Sequence, residues 1–289
     1  MGKHMGHTYK FTKKILACAV LGGSLMMAGS AFAKEWTSVR VATEGAYEPW
    51  NITLPGGEIS GFEPELLKDI CARIKLECKL QAQDWDGMIA GLNAGKFDVL
   101  MDAIVITPER QNEIAFSIPY ANTQAVFVSA DPKLIASMPS NEVIKLSGDP
   151  TKDKAAIDKM KELVKGKTLG IQSGTAYTEF VEKNFRDIAT IREYKKSAEH
   201  LLDLNAGRID FAFDDVTFFT SALETPDNSA VKMIGPKIGG DIWGPGEALG
   251  FRKADNDLRE KFDGALKEAL ADGTVKRLSE KWFKADIRP

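Results

Sequence analysis

The chain is predicted to be an α/β protein made of two halves built on one plan. Strand and helix patterns alternate from residue 38 onward, which argues for largely parallel sheets covered by helices. A short phrase also recurs: Leu92-Asn-Ala-Gly-Lys-Phe-Asp98 matches Leu204-Asn-Ala-Gly-Arg-Ile-Asp210 at five of seven positions. Each copy follows a helical pattern and precedes an apolar strand pattern, so its Asn and Gly read as helix stops.

Residues 38–43, SVRVAT, form the first expected strand. In GFEPELLKDICARIK, residues 61–75, Phe62, Leu66, Ile70 and Ile74 share one helical face. Residues 76–82 read as a second strand, 86–94 as a short helix stopped by Gly95, and Phe97–Met101 as a third strand. Residues 131–165 are polar and rich in Lys, Asp and Ser, which predicts a surface excursion with a helix near 153–165. GKTLGI at 166–171 opens the second half as a strand, and Ser173-Gly174-Thr175 leads into a helix over about 176–184. Near the end, Leu258, Phe262, Leu266 and Leu270 form one stripe over 255–271, Gly273 breaks the helix, and Val275, Leu278 and Trp282 continue it.

The first 33 residues read as a leader rather than as part of the fold. Lys10, Lys13 and Lys14 precede an apolar stretch from Ile15 to Met27, and Ala-Gly-Ser-Ala-Phe-Ala33 ends as a secretory cleavage site. The stretch is too short to span a membrane. Cys18 follows Lys14 too closely to be read as a lipidation cysteine. Cleavage after Ala33 removes four lysines and no acid, which takes the formal charge from −3 to −7. No basic patch for nucleic acid is visible, and an acidic exported protein suits a cationic ligand. The mature chain keeps Cys71, Cys78 and a single histidine, His200. Export permits a disulfide, whose short loop is worth about 2.5 kcal/mol in the entropic picture. The same spacing can also be half a metal site, for which few further ligands remain. No cofactor and no metal are expected.

The segment MDAIVITPERQNEIAFS, residues 101–117, carries the most chemistry. A short apolar run ends in Thr107-Pro108-Glu109-Arg110, with a capping Thr, a Pro at the first helical position and an acid behind it. Arg110 in that first turn presents a planar fork of donors suited to a carboxylate. Segments 44–51, 84–86, 102–110 and 172–177 all follow expected strands, where ligands collect in α/β sheets. Glu44 and Asp102 offer negative charge there; Tyr47, Trp50 and Trp85 offer aromatic faces; Gly174 and Thr175 offer a helix start. Asp214 and Asp215 follow the strand expected at Ile209–Phe213. Taken singly, Trp50 and Trp85 read as core or rim residues and Glu44 as a solvated acid. Together they describe a site for a zwitterion with a cationic tail, whose charged end gains about 0.5–2 kcal/mol over an aromatic ring.

The phrases VATEGAYEPW, GFEPELLKDICARI, ITPERQNEIAFS, QSGTAYTEF, LNAGRIDFAFDD and the closing run from Leu249 to Phe283 resemble the exported solute-binding proteins for polar amino acids. The resemblance is nearest to the histidine-, lysine/arginine/ornithine- and opine-binding members and covers residues 38–286. It implies a type II periplasmic binding protein: two Rossmann-like α/β lobes joined by two crossover strands and closing on ligand. Lobe 1 is expected over 34–121 plus 246–289, lobe 2 over 126–242, and the hinge at about 122–125 and 243–245. By family position, Arg110 takes the α-carboxylate with help from the Thr175 amide. Asp215 and the backbone at Ala103 take the α-ammonium. Glu44 meets the cationic end of the side chain, and Tyr47 and Trp85 sandwich its stem. Gln172 and Tyr177 also line the site. The resemblance further implies a Cys71–Cys78 disulfide. Val105 and Asp102 stand where many relatives carry small hydroxyl residues, so the first loses a carboxylate contact and the second adds charge.

The expected function is capture of a basic amino acid, or an opine derived from one, in the periplasm for delivery to an inner-membrane ABC permease, by a monomer. The alternative on the same fold is a periplasmic dehydratase acting on cyclohexadienyl acids such as arogenate. His200, expected on a helix away from the cleft, leaves that reading without a nucleophile–His pair. A sensor ectodomain would need a membrane span and a cytoplasmic module.

Overall fold

The computed structural model describes residues 35–138 and 142–289. The expected leader, its cleavage site and Cys18 lie outside the described residues, as do residues 139–141 of the polar excursion. No described helix is long and apolar enough to cross a membrane.

Two mixed sheets form the frame. In the first, Ser38–Thr43 lies between Glu77–Ala82 and Val99–Leu100, parallel to both. Gly250–Phe251 adds antiparallel to Val99–Leu100, and Ala115–Phe116 antiparallel to Gly250–Phe251. In the second, Thr168–Gln172 lies parallel between Thr190–Tyr194 and Phe211–Asp215. Ala125–Ser129 runs antiparallel to both Phe211–Asp215 and Lys232–Gly239, and Val143–Lys145 pairs parallel at the edge. The sheets are therefore less parallel than the alternation predicts. The antiparallel members are those reached when the chain passes between sheets, so no βαβ crossover sets their direction.

The repeated phrase builds the same joint twice. Helices Met88–Asn93 and Ser197–Asn205 both end in a left-handed glycine, Gly95 at φ 72° and Gly207 at φ 67°. Each copy closes with an aspartate that holds the strand of its own sheet flanked by parallel neighbours on both sides. Asp98 Oδ2 accepts from the Arg40 amide at 3.0 Å, and Asp210 Oδ2 accepts from the Thr168 amide at 2.8 Å.

Helix Phe62–Arg73 buries Phe62, Leu66, Leu67, Ile70 and Cys71, and Ile74 caps it half-buried. It packs on Asn256–Ala271 and Thr274–Phe283, which bury Leu258, Phe262, Leu266, Leu278 and Phe283. Cys71 and Cys78 form a disulfide with Cα atoms 6.2 Å apart, tying that helix to strand Glu77–Ala82. The polar excursion holds helices Pro132–Ser137 and Pro150–Val164, each started by an aspartate cap and a proline.

The chain passes between the sheets twice, between Phe116 and Ala125 and between Gly239 and Gly250. The two passages bind each other and the segment that follows Val99–Leu100. Glu247 N donates to Ala121 O at 2.9 Å, and Ile106 N donates to Gly246 O at 3.0 Å. Gly246 sits at φ +125°, and a Cβ there would meet Ala121 O at 2.1 Å. Gly246→Ala is expected to lower stability by about 2 kcal/mol or more, from forbidden backbone angles and a clash with main chain that has little room to move. Urea unfolding of the ligand-free variant checks this; an unchanged midpoint would contradict the close approach.

Candidate functional site

The carboxyl ends of both sheets face one gap, and the side chains there come from strand ends and the helix starts that follow them. The walls are Glu44, Tyr47, Trp85, Asp102, Ala103, Val105 and Arg110 from one side, and Gln172, Thr175, Ala176, Tyr177, Asp214 and Asp215 from the other. Glu247 of the second passage completes the lining.

Arg110 begins where the sequence places it. Thr107 Oγ1 accepts from the Arg110 amide at 3.3 Å, with Pro108 opening helix Pro108–Glu113. Its guanidinium is buried and spans the gap. Nη1 donates to Val105 O at 2.9 Å and Nη2 to Gly174 O at 3.2 Å, while Cζ lies 5.2 Å from the Trp85 ring. Burial pulls its pKa down to about 10, partly offset by Glu179 and Tyr177, so it stays a cation at neutral pH. Gly174 lies beside the cavity rather than in its lining, holding a left-handed turn at φ +68° before the Thr175 cap. Thr175 Oγ1 accepts from Thr178 N at 3.2 Å in a reciprocal capping box.

Acids crowd the rest of the gap. Glu44 faces Gln172, whose Nε2 donates to both carboxylate oxygens at 3.2 Å and to Lys195 O at 3.0 Å. Burial raises the Glu44 carboxyl to about 7, against the lowering effect of Gln172 and Lys196. Asp102 is bound by the protein itself. Its Oδ1 accepts from Thr43 Oγ1 at 3.0 Å, Glu44 N at 2.8 Å and Asn51 Nδ2 at 2.9 Å. Burial, then the charges of Glu63 and Glu44, push it well above the usual carboxylate range. Asp102 thus adds less negative charge than the sequence suggests. Beneath it, Glu63 accepts from Ala103 N at 2.7 Å and from the Tyr120 hydroxyl. Asp215 accepts from Thr217 N at 2.6 Å, Tyr177 Oη at 3.0 Å and the Thr123 hydroxyl, and burial raises its pKa.

The aromatic residues divide. Tyr47 reaches across the gap, Oη donating to Asp214 Oδ1 at 2.7 Å, and stacks on Phe218 at 5.1 Å. Trp85 stands half-buried against Arg110. Trp50, expected to line the site, does not. It is fully buried among Phe62, Tyr120 and Phe283, with Nε1 donating to Thr217 Oγ1 at 2.9 Å, because helices Phe62–Arg73 and Thr274–Phe283 close their aromatic ends over the indole.

His200 departs from its expected place as well. It lies directly behind the gap, fully buried, with Nε2 3.1 Å from Asp214 Oδ2. Asp214 also meets Tyr47 Oη, Ser197 Oγ and the Asp215 amide. Both Ser197 and His200 bond to the acid and not to each other. This is the wrong order for activating a serine, which needs the imidazole in the middle. Asp214, Ala176 and Glu247 are lining residues that no motif singled out as ligand contacts. Asp214 is at least visible beside Asp215; Glu247 has only its position in the Gly-Pro-Gly-Glu passage as a signal.

A sequence model of the bacterial extracellular solute-binding proteins, family 3, matches residues 39–285. The octopine-binding periplasmic protein of Rhizobium meliloti is 40% identical over 296 aligned positions, covering 96% of this chain and 99% of the relative. The histidine-binding periplasmic protein of Escherichia coli K12 is 32% identical, covering 95% and 98%. Among solved structures, an ancestral arginine-binding protein bound to arginine superposes with a TM-score of 0.70 at 28% identity, covering 86% of this chain and 98% of the other. A His/Glu/Gln/Arg/opine family-binding protein from Silicibacter pomeroyi in complex with lysine gives 0.70 at 26% identity, covering 87% and 99%.

Proposed function

The chain belongs to the bacterial extracellular solute-binding proteins of family 3, and on that premise we propose that it is the periplasmic receptor of an ABC importer for a basic amino acid or an opine derived from one. The observation that carries the reading is the charge balance of the gap. Glu44, Asp102, Asp214, Asp215 and Glu247 line it, and among the described residues Arg110 is the one cation in the lining. A ligand with one carboxylate for Arg110 and two cationic groups for the acids offsets burial that is otherwise unfavourable. Of the ligands that the relatives' names give, arginine and lysine carry that charge set; octopine adds a second carboxylate, and histidine carries a second cation only when its imidazole is protonated.

In this reading Arg110 and the Thr175 amide hold the α-carboxylate. Asp215 and the backbone at Ala103 hold the α-ammonium, Glu44 meets the distal cation, and Tyr47, Trp85, Gln172 and Tyr177 shape the walls. Val105 adds apolar wall and a carbonyl for Arg110. The lobes are residues 34–121 plus 246–289 and 126–242, and the two passages between the sheets act as the hinge. No bond is made or broken: each lobe holds part of the ligand, only the closed form makes every contact, and the permease reads closure. Maturation after Ala33 and action as a monomer belong to the same proposal.

Thermal shift of refolded, ligand-stripped protein against arginine, ornithine, lysine, histidine, octopine and nopaline tests it, because a tight ligand stabilises by mass action. A shift of several degrees for at least one basic compound, and none for glutamate, is expected. Stabilisation by no cationic compound, or turnover of arogenate, would overturn it.

A further inference from the structure

Resting on this reading of the gap, we propose that Glu247 is a further binding residue, whose free Oε2 accepts a hydrogen bond from the ligand's α-nitrogen. Glu247 lies in the second passage between the sheets, and its backbone is held from both directions. Its amide donates to Ala121 O at 2.9 Å and its carbonyl accepts from Tyr120 N at 2.9 Å. The side chain is 4% exposed and forms part of the cavity wall beside Asp215 and Ala103. Its Oε2 is buried without any hydrogen-bond partner. Buried polar atoms are rarely left in that state.

The protons around Thr123 say what kind of partner the atom needs. Thr123 Oγ1 lies 2.7 Å from Glu247 Oε1 and also contacts Asp215 Oδ2. A hydroxyl has one proton to give. Asp215 already accepts from Thr217 N, Thr217 Oγ1 and Tyr177 Oη, the donor set of a carboxylate. The Thr123 proton completes that set. The Thr123 oxygen then faces Glu247 Oε1 with lone pairs only, and the short contact requires a proton on the glutamate. Burial, followed by the charge of Asp215, raises Glu247 to about 8, so it is an acid at neutral pH. With the proton on Oε1, Oε2 is a carbonyl-like acceptor. It suits an N–H and cannot donate to a carboxylate. A neutral acid here supplies a second acceptor beside Asp215 without placing a second full charge against it.

The test uses the refolded mature protein and calorimetry at pH 7 with arginine, octopine and 5-guanidinopentanoate, which lacks the α-nitrogen. Glu247→Leu is expected to weaken arginine and octopine by about tenfold or more and 5-guanidinopentanoate by less than about threefold. Glu247→Gln, whose amide donates to Thr123 and keeps a carbonyl oxygen free, is expected to restore the dependence on the α-nitrogen. An equal loss for all three compounds means a structural role only and overturns the proposal, as does no loss at all. Wild-type protein that binds none of the three overturns the functional reading and this inference with it; wild-type binding with an indifferent Glu247→Leu overturns this inference alone.

Discussion

Arg110→Ala is expected to weaken capture of a basic amino acid or opine by at least about a hundredfold, equivalent to about 3–5 kcal/mol. The guanidinium is buried, and its partners here are two carbonyls, Val105 O on one side of the gap and Gly174 O on the other. In the proposed complex a ligand carboxylate would replace these neutral acceptors with a charged one, to which the guanidinium fork can bond bidentately. Without Arg110 the carboxylate enters an already acidic gap with no countercharge. The same arginine joins the two sides of the gap through Gly174, so its loss also removes that link. Arg110→Lys keeps the charge but not the fork and is expected to fall between the two. Isothermal calorimetry measures both; an unchanged affinity for Arg110→Ala would remove the anchor on which the functional reading depends.

Affinity for a basic ligand is expected to fall as pH drops below 7. Burial holds Glu44 partly protonated, with a pKa of about 7. A cation arriving at Glu44 favours the carboxylate, so binding expels the proton. Affinity then falls by up to about tenfold per pH unit below 7, until the bound carboxylate itself titrates. The empty protein responds with the opposite sign. The folded pKa of Glu44 is raised above the unfolded value of 4.5, so the folded state keeps a proton the unfolded state has lost. That contribution is present in full below 4.5 and is lost as pH rises to about 7; Glu247 extends the window to about 8. Ligand-free protein is therefore expected to be more stable at pH 5.5 than at pH 8, and the increment from ligand to be larger at pH 8. Calorimetry across pH 5.5–8 and urea midpoints of the ligand-free protein read these two trends. A flat affinity profile would contradict the burial of Glu44.

Much of the frame was legible from short stretches of chain. The helix start at Thr107 and Pro108 is written in cap chemistry that acts within one turn, and it places Arg110. The recurring Asn-Ala-Gly phrase marks two equivalent helix ends, and its closing aspartate does the same work in both sheets. Apolar periodicity located the helix that carries Cys71 and the two that pack against it. The short strands Ala115–Phe116 and Gly250–Phe251 were not legible, because two residues carry no periodicity.

The candidate site was legible only in part, for a physical reason that individual residues make plain. Trp50 and Trp85 look alike in sequence, yet one is sealed between Phe62 and Phe283 and the other faces Arg110. His200 and Asp214 are 14 residues apart and meet behind the gap. Glu247 and Thr123 are separated by 124 residues, and Thr123 Oγ1 contacts both Glu247 and Asp215 only because the two passages between the sheets lie side by side. By itself the sequence determined the family, the α/β alternation and the arginine at a helix start, all of which follow from local spacing and backbone chemistry. The tertiary structure alone decided which acids stand together in the gap, which aromatic ring is core, and which carboxyl keeps its proton. Those properties depend on burial and on neighbours brought together from distant parts of the chain.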